Sequence, residues 1–466
     1  MARHKRLVVV ANRLPVHRAG STGRWEISPG GLVTALHPVL EQRGGVWVGW
    51  PGTSDAQLRP FTLDGVELHP VRMTEKEVRT SYHGMSNRTL WPLYHDAIRT
   101  PEISRDWWAP YVEVNQRFAD RTLACSKPRD LIWIHDFHLQ LVPSMIRAER
   151  PSARIGFFLH IPYPPEELFA WLPWRTQILE GLLGADVVGF QTREDAINFS
   201  RLARRFTSAR GSDTRLTYQG RTITVKAFPI SIDFDAFDAL AQEPVVEKAA
   251  AQIRERLDPA RKMILCVDRL DYTKGIDGRL LAFEHLLRRG AISAENCVLV
   301  QIAVPTRDRV PEYAAERAKV EQIVGRINGE FSRVARVPVH YFRRSLARRD
   351  LVSYYRAADA MVVTPLRDGM NLVAKEFVAA RHDNTGVLMI SEFAGAAREL
   401  TRAITVNPRD IDAMADALLR AITIPGAEAG RRMRSMRNAV RRNTVFDWCD
   451  SFIEALERGA KPGRED

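Results

Sequence analysis

The residues best suited to chemistry in this 466-residue chain lie in two short runs, each placed directly after an apolar stretch. The first, Asp268-Arg269-Leu270-Asp271-Tyr272-Thr273-Lys274-Gly275, follows the strand candidate 263–267. Arg269 and Lys274 then stand at a strand end and on the next turn, where two cations can grip one pyrophosphate. A fixed cation pair stabilises charge that develops on a leaving diphosphate. The plainer alternative is a surface turn salt-bridged through Asp268 or Asp271. The second run, PLRDGMNLVAKE at 365–376, follows the strand candidate 360–364. It reads as a Gly-containing turn that opens a helix. The N–H groups of a helix start lack intrahelical acceptors and suit a phosphate. Asp368 can accept hydrogen bonds from sugar hydroxyls, and Glu376 on the second turn can reach a ribose diol. Taken alone, the run is equally well read as a βα turn capped by Asp368. Two phosphate-suited loops on the same side favour function.

The first half offers a different set. Asp136, in IHDFH, and His160, in LHIP, each end a strand candidate and can hold hydroxyls at a reacting centre. Metal binding by His135, Asp136 and His138 is disfavoured, since neighbours on a strand point to opposite faces and no H-E-x-x-H is present. Gly31, in Pro29-Gly30-Gly31-Leu32, opens the first long helix and permits close approach to a ligand. Arg13 leaves the first strand with a guanidinium suited to a phosphate. Tyr82 and Trp91 flank Ser86-Asn87, where they stack on a sugar or fill core.

These residues need a scaffold, and the hydrophobic pattern supplies one. Strand candidates at 7–10, 131–134, 155–159, 187–190, 223–227, 263–267, 298–302, 337–341, 360–364 and 387–390 alternate with amphipathic helices. Several strands are apolar throughout, as in parallel sheets covered on both faces. The expected fold class is α/β, with two doubly wound Rossmann-like domains facing across a cleft. The expected division is 1–230 and 231–445, with a last helix at 446–458 free to pack on either half.

Composition narrows the classes. Hydrophobic residues at 45% and charged residues at 27% are ordinary for a globular protein. No apolar run approaches the ~18 residues of a membrane span. The start of the chain is not a secretory leader, so the cytoplasm is the expected compartment. The cysteines at 125, 266, 297 and 449 form no C-x-x-C pair. Basic residues outnumber acidic ones by 68 to 56, a net of +12. Only 431–442 is densely basic and it lacks interleaved aromatics, so neither nucleic acid nor membrane is an expected partner. No G-x-x-x-x-G-K-[ST] occurs. The D-x-D strings at Asp233 and Asp410 are read as helix caps, so no metal or other cofactor is expected.

With these segments in view, the chain resembles the trehalose-6-phosphate synthase family over nearly its whole length. The resemblance rests on VVVANRLP, SPGGLVTAL, GMSNRTLWPLYH, IWIHDFHLQLVP, IGFFLHIPYPPEELF, GFQTREDAINF, VDRLDYTKGI, GRINGEF, TPLRDGMNLVAKEFVAA and EFAGAAREL. It implies a GT-B fold and a retaining, metal-independent transfer of glucose from a nucleoside diphosphate (UDP- or GDP-glucose) to glucose 6-phosphate. Carried over, Arg13, Tyr82, Trp91 and Arg307 hold the acceptor, with Arg309 the alternative to Arg307. Asp136 and His160 contact the sugars, and Asp136 serves the acceptor as well. Arg269 and Lys274 grip the donor diphosphate near Gly31. Asp368, Met370, Asn371 and Leu372 hold donor glucose and phosphate, and Glu376 the ribose. Retention is expected from front-face attack, the departing phosphate oxygen taking the acceptor proton. The segment 342–346 is expected to read the base. Related readings are a glucosylglycerol-phosphate synthase, a validoxylamine-phosphate-type coupling enzyme, and a non-catalytic sugar-phosphate-binding homologue. A homo-oligomer is a general prior only.

Overall fold

The computed structural model describes residues 5–18, 25–27, 31–54, 58–306 and 311–458. The chain divides into two compact units, Met1–Ile230 with Val445–Asp466, and Ser231–Thr444.

In the first unit, β1 (Leu7–Arg13) is followed by a small antiparallel ribbon of β2 (Val16–Arg18) and β3 (Trp25–Ile27). The main sheet continues through β4 (Val46–Trp50), β5 (Phe61–Leu63), β6 (Val66–Pro70), β7 (Leu131–His135), β8 (Arg154–Phe158) and β9 (Val187–Phe190). It ends with β10 (Arg210–Gly211), β11 (Arg215–Tyr218) and β12 (Arg221–Ala227). The strand order is β10-β11-β12-β9-β8-β7-β1-β4-β6-β5. Every pairing from β12 to β6 is parallel, and antiparallel pairing is confined to the margins. The centre is apolar on both faces because helices cover both: Leu7, Val8, Val9 and Val10 are each 0% exposed.

The second unit holds β13 (Lys262–Arg269), β14 (Cys297–Val304), β15 (Val339–Phe342), β16 (Ala360–Val363), β17 (Val387–Ser391) and β18 (Ile404–Val406). Their order is β15-β14-β13-β16-β17-β18, parallel throughout. The α/β class with two parallel sheets is therefore as the hydrophobic pattern predicts. The pattern missed β4, β6 and the 21-residue helix Arg105–Cys125, which carries Pro110 inside it.

Topology explains where ligands can bind. In the first sheet the chain runs outward from β1 through β4 and β6, then returns to the other side of β1 with β7. In the second it runs outward from β13 to β15 and returns beside β13 with β16. Each reversal opens a crevice beyond the carboxyl ends of the two diverging strands. Those ends are Arg13 and His135 in one unit, and Arg269 and Val363 in the other.

The last helix, Val445–Arg458, belongs to the first unit. Phe452 lies parallel to Trp133 at 4.3 Å and 5.0 Å from Phe228. Gly156 of β8 makes room for it, since a Cβ there would stand 2.5 Å from the Phe452 ring. Phe452 is 0% exposed, so Phe452→Ala should cost about 3–5 kcal/mol by opening a cavity against the sheet. Urea unfolding measures this; a loss under about 1 kcal/mol would show that the helix does not complete this core.

Candidate functional site

At the reversal in the second unit, β13 delivers Arg269 to an exposed position at its last residue. Asp271 then caps the short 3-10 turn Tyr272–Lys274: its Oδ1 accepts from the Thr273 N–H at 3.0 Å and the Thr273 hydroxyl at 2.9 Å. The turn presents Lys274, whose Nζ donates to Asp368 Oδ2 at 2.6 Å, with the lysine side chain only 8% exposed. Gly275 closes the turn at φ +61, and a Cβ there would meet the Thr364 carbonyl at 2.5 Å. That position requires glycine on both counts.

Asp368 sits in the loop after β16, where the Asn371 Nδ2 also donates to its Oδ2 at 3.1 Å. The cap of the helix Leu372–Ala380 is Asn371, not Asp368 as the plainer sequence reading had it. The Asn371 Oδ1 accepts from the Ala374 N–H at 3.2 Å. This frees the Asp368 carboxylate to face Lys274. Asn371 has φ 81, which an asparagine tolerates better than most residues. Helix geometry leaves the N–H groups of Leu372 and Val373 without an intrahelical acceptor, aimed where an anion can bind. Met370 lends its carbonyl to the Ala396 N–H at 2.8 Å, and Asp368 exchanges backbone bonds with Phe393 and Gly395. Gly395 allows this approach: a Cβ there would fall 2.0 Å from the Gly369 oxygen.

Behind the loop lies a charged frame. Arg279, 0% exposed, donates to Asp268 Oδ2 at 2.5 Å and to the Lys274 carbonyl at 2.7 Å. Asp268 and Asp271 are thus buried framework groups, 5% and 0% exposed, and not the surface salt bridge that the sequence also allowed. Lys375, also 0% exposed, donates to Glu399 Oε1 at 2.8 Å; burial lowers its pKa, which Glu399 counters. Half-buried Glu376 accepts from the Tyr355 hydroxyl at 2.9 Å, and burial raises its pKa above the carboxylate norm.

In the first unit, Arg13 is exposed at the end of β1, its guanidinium 4.6 Å from the centroid of Trp50. An aromatic series continues from there: Tyr82 lies 5.6 Å from Trp50 and stacks on His138 at 5.6 Å and 14°. Tyr82 belongs to a π-helix, Val78–Leu90, an uncommon form that recurs at functional sites. The His138 Nδ1 is 4.0 Å from Asp136 Oδ2. Trp91 differs from Tyr82 in being core: it is 3% exposed and packs against His95 and Phe137.

Asp136 follows β7 with φ 76, again a strained value for a residue with a side chain. Its N–H donates to the Phe158 carbonyl at 2.8 Å, and its Oδ1 accepts from the His160 N–H at 3.3 Å. The two strand ends are joined once more through His135 Nδ1 and His160 Nε2, 3.1 Å apart. Burial pushes the His160 pKa down to about 3; burial and the neighbouring His160 carry that of His135 well below its ordinary value. Both rings are therefore neutral at pH 7.

The structure thus groups Lys274, Asp368, Asn371 and the helix start at Leu372 at one reversal, with Arg269 at the adjoining strand end. It groups Arg13, Tyr82, Asp136 and His160 at the other. Gly31 is the first residue of the helix Gly31–Arg43, and Arg307 and Arg309 lie outside the described residues. In the segment 342–346, Phe342 ends β15 with the Arg344 guanidinium 5.3 Å from its ring. The first aspartate of each D-x-D string caps a helix, Asp233 accepting from the Ala236 N–H and Asp410 from that of Ala413. Sequence reasoning missed Trp50, the Gly395 contact and the Arg279 frame. Only EFAGAAREL hinted at the second, and nothing local signalled the third. Among the described residues no group of three or more His, Cys, Asp or Glu is placed to hold a metal ion. No helix among them is long and apolar enough to cross a membrane.

Comparison with known proteins gives a consistent picture. Residues 5–458 match the profile of glycosyltransferase family 20. The trehalose-6-phosphate synthase of Mycolicibacterium smegmatis is 49% identical over 468 residues, covering 98% of this chain and 93% of the relative. A UDP-forming alpha,alpha-trehalose-phosphate synthase from Burkholderia xenovorans, solved in complex with glucose-6-phosphate, superposes with a TM-score of 0.89 at 36% identity. That match covers 97% of this chain and 100% of the other. An E. coli structure bound with UDP-2-fluoro glucose gives the same TM-score and identity, covering 97% and 99%.

Two outcomes test the geometry. Arg279→Met strands the buried Asp268 carboxylate and should cost about 3–5 kcal/mol in urea unfolding, largely recovered by adding Asp268→Leu. A loss below about 1 kcal/mol in the single variant would contradict the frame. The second concerns acid. The folded pKa values of His135 and His160 lie below the unfolded value of about 6.5, so the unfolded chain takes up protons that the folded chain refuses. Their contribution is complete above pH 6.5 and declines as pH falls below it, for His160 down to about 3, by up to about 1.4 kcal/mol per pH unit for each ring. The urea midpoint should fall between pH 7 and pH 4, and fall less in a His135→Phe/His160→Phe double variant. An equal fall in both proteins would rule out the two rings as its source.

Proposed function

The chain belongs to glycosyltransferase family 20, and on that footing we propose that it makes alpha,alpha-trehalose 6-phosphate by transferring glucose from a nucleoside diphosphate glucose to glucose 6-phosphate. The observation that carries the reading is the Lys274–Asp368 contact of 2.6 Å at the reversal of the second sheet, beside the start of the helix Leu372–Ala380. It sets a cation against a carboxylate suited to sugar hydroxyls, in the loop that opens a helix whose first N–H groups have no intrahelical acceptor. A sugar bound through a phosphate needs that combination.

In this proposal the second unit holds the donor. Arg269 and Lys274 take the diphosphate, Asp368 the glucose hydroxyls, the backbone of Met370, Asn371 and Leu372 the glucose and phosphate, and Glu376 the ribose. The family resemblance assigns Gly31 to the donor as well. For the acceptor, Arg13 of the first unit and Arg307, outside the described residues, take the phosphate, Tyr82 and Asp136 the ring, and His160 contacts the sugars. Trp91, which packs against Phe137 next to Asp136, is assigned to the acceptor as well. The Asp136 carboxylate accepts from the His160 backbone N–H, so hydroxyls held by one are in register with the other.

The reaction we propose retains configuration and needs no metal ion. The acceptor hydroxyl attacks the anomeric carbon on the face that the diphosphate leaves. As the carbon–oxygen bond to phosphate breaks, the departing phosphate oxygen takes the hydroxyl proton. Arg269 and Lys274 meet the charge that grows on the diphosphate, which is where fixed cations lower a barrier most. The uridine nucleotide is the first candidate for the base, in line with the UDP-forming relative and the UDP-2-fluoro glucose complex.

The test uses glucose 6-phosphate with UDP-, GDP- and ADP-glucose side by side. Trehalose 6-phosphate with both anomeric centres α should form fastest from UDP-glucose without added metal. Asp368→Ala should lower kcat/KM by about 1,000-fold or more while leaving the melting temperature within a few degrees. Near-normal turnover by that variant, or a glycosyl-enzyme adduct trapped on Asp136 or Asp368, would overturn the mechanism.

A further inference from the structure

His135 has no role in the reaction as written, yet it is 0% exposed and touches a residue that does. Its Nδ1 lies 3.1 Å from the His160 Nε2, and no other polar contact of its ring is formed among the described residues: its Nε2 is buried without a partner. The ring is walled by Trp133 at 4.7 Å, Phe158 at 6.5 Å and Trp448 at 6.4 Å between centroids. His160 is fixed on its backbone, its N–H given to Asp136 Oδ1 and its carbonyl accepting from the Gln191 Nε2 at 3.4 Å. Its Nδ1 has no protein partner among the described residues.

Two neutral imidazoles that meet nitrogen to nitrogen share one proton between them, which leaves two arrangements. If His160 donates from Nε2, His135 must carry its own proton on Nε2, as a buried N–H with no acceptor. If His135 donates from Nδ1, its Nε2 is a buried lone pair instead. Orphaned buried N–H groups are the rarer defect. The surroundings point the same way. The Trp133, Phe158 and Trp448 side chains that wall the ring carry no hydrogen-bond acceptor, so an N–H on His135 Nε2 finds none among them.

We propose that His135 is a positioning residue that donates from Nδ1 to the His160 Nε2, locking His160 as the Nδ1–H tautomer so that it presents a hydrogen-bond donor to a sugar hydroxyl oxygen. His160 is then neither a general base nor an acid in the transfer; it orients a hydroxyl and stays neutral. The low pKa values of both rings suit that task. This rests on the reading that His160 contacts the sugars, and the test separates the two.

In unliganded, histidine-15N-labelled protein, long-range proton–nitrogen spectra assigned through His160→Gln should show His160 protonated on Nδ1 and bare on Nε2. The reverse pattern would overturn the proposal without any activity measurement. His135→Phe removes the donor and should lower kcat by about 10- to 100-fold with KM for both substrates within about three-fold. His135→Asn, whose amide nitrogen replaces Nδ1–H, should restore most of that loss. Turnover of His135→Phe equal to the unaltered enzyme, or His135→Asn as impaired as His135→Phe, would refute positioning through this bond. Normal turnover of His160→Ala, with the Nδ1–H pattern of His160 found in the unaltered protein, would sink the reading of His160 and leave the pairing standing.

Discussion

The second unit's ligand end depends on one buried guanidinium. Arg279 reaches Asp268 on β13, the Lys274 carbonyl on the turn and, at 3.4 Å, the Val362 carbonyl on β16. Those groups flank the point where the strand order reverses, so a single side chain fixes both lips of the crevice. Burial opposes its charge, but the Asp268 carboxylate outweighs that and its pKa is raised. A buried ion pair is a poor source of stability, because desolvating two ions costs nearly what their attraction returns. What this pair secures is placement: with the Lys274 carbonyl held, the lysine side chain has one direction to go, and Asp368 lies there.

The two units solve one geometric problem in the same way. A parallel strand runs out into a loop that must turn sharply enough to aim a side chain along the crevice. In both units a residue with positive φ makes that turn, Asp136 at φ 76 and Asn371 at φ 81. Neither is glycine, because each spends its side chain on fixing the loop as well. Asp136 accepts from the His160 N–H, while Asn371 caps a helix and donates to Asp368. The strain of order 1–3 kcal/mol at each point is held by those bonds and by the packed strands beneath.

Much of this was legible in the sequence, for a physical reason. Strands buried on both faces must be apolar throughout, so β1, β7, β9, β13 and β16 announce themselves, and the residues just beyond them are candidate ligands. Local features failed where tertiary contact decides. The strand Val46–Trp50 contains Gly49, a weak strand former, which is there because a Cβ would strike the Arg13 backbone at 2.6 Å. The helix Arg105–Cys125 carries Pro110, and its buried Asn115 serves the site loop: it donates to the His138 carbonyl and accepts from the Leu141 N–H. The π-helix holding Tyr82 has no propensity signature at all. Asp368 was recognised as important, but its freedom from capping appears only once Asn371 is seen to take that duty.

The distribution of charge between the units carries the chemical argument further. Beside the helix start of the second unit stand Arg269 and Lys274, and a helix N-terminus is itself electropositive. The strand ends of the first unit instead bring together two imidazoles that burial keeps uncharged. A glycosyl transfer in which the diphosphate leaves as an anion needs positive potential at that anion. It gains nothing from a cation beside the acceptor hydroxyl, where positive charge would make the oxygen a poorer nucleophile. Under the proposed reading, neutral donors would orient that hydroxyl without withdrawing its electrons. Trp448, brought from the far end of the chain, helps keep it so: its ring lies 6.2 Å from His160 and 5.1 Å from Phe158, adding to the apolar wall that denies both histidines a second, charging proton. The return of the last helix to the first unit is therefore part of the site's electrostatics as well as of its core.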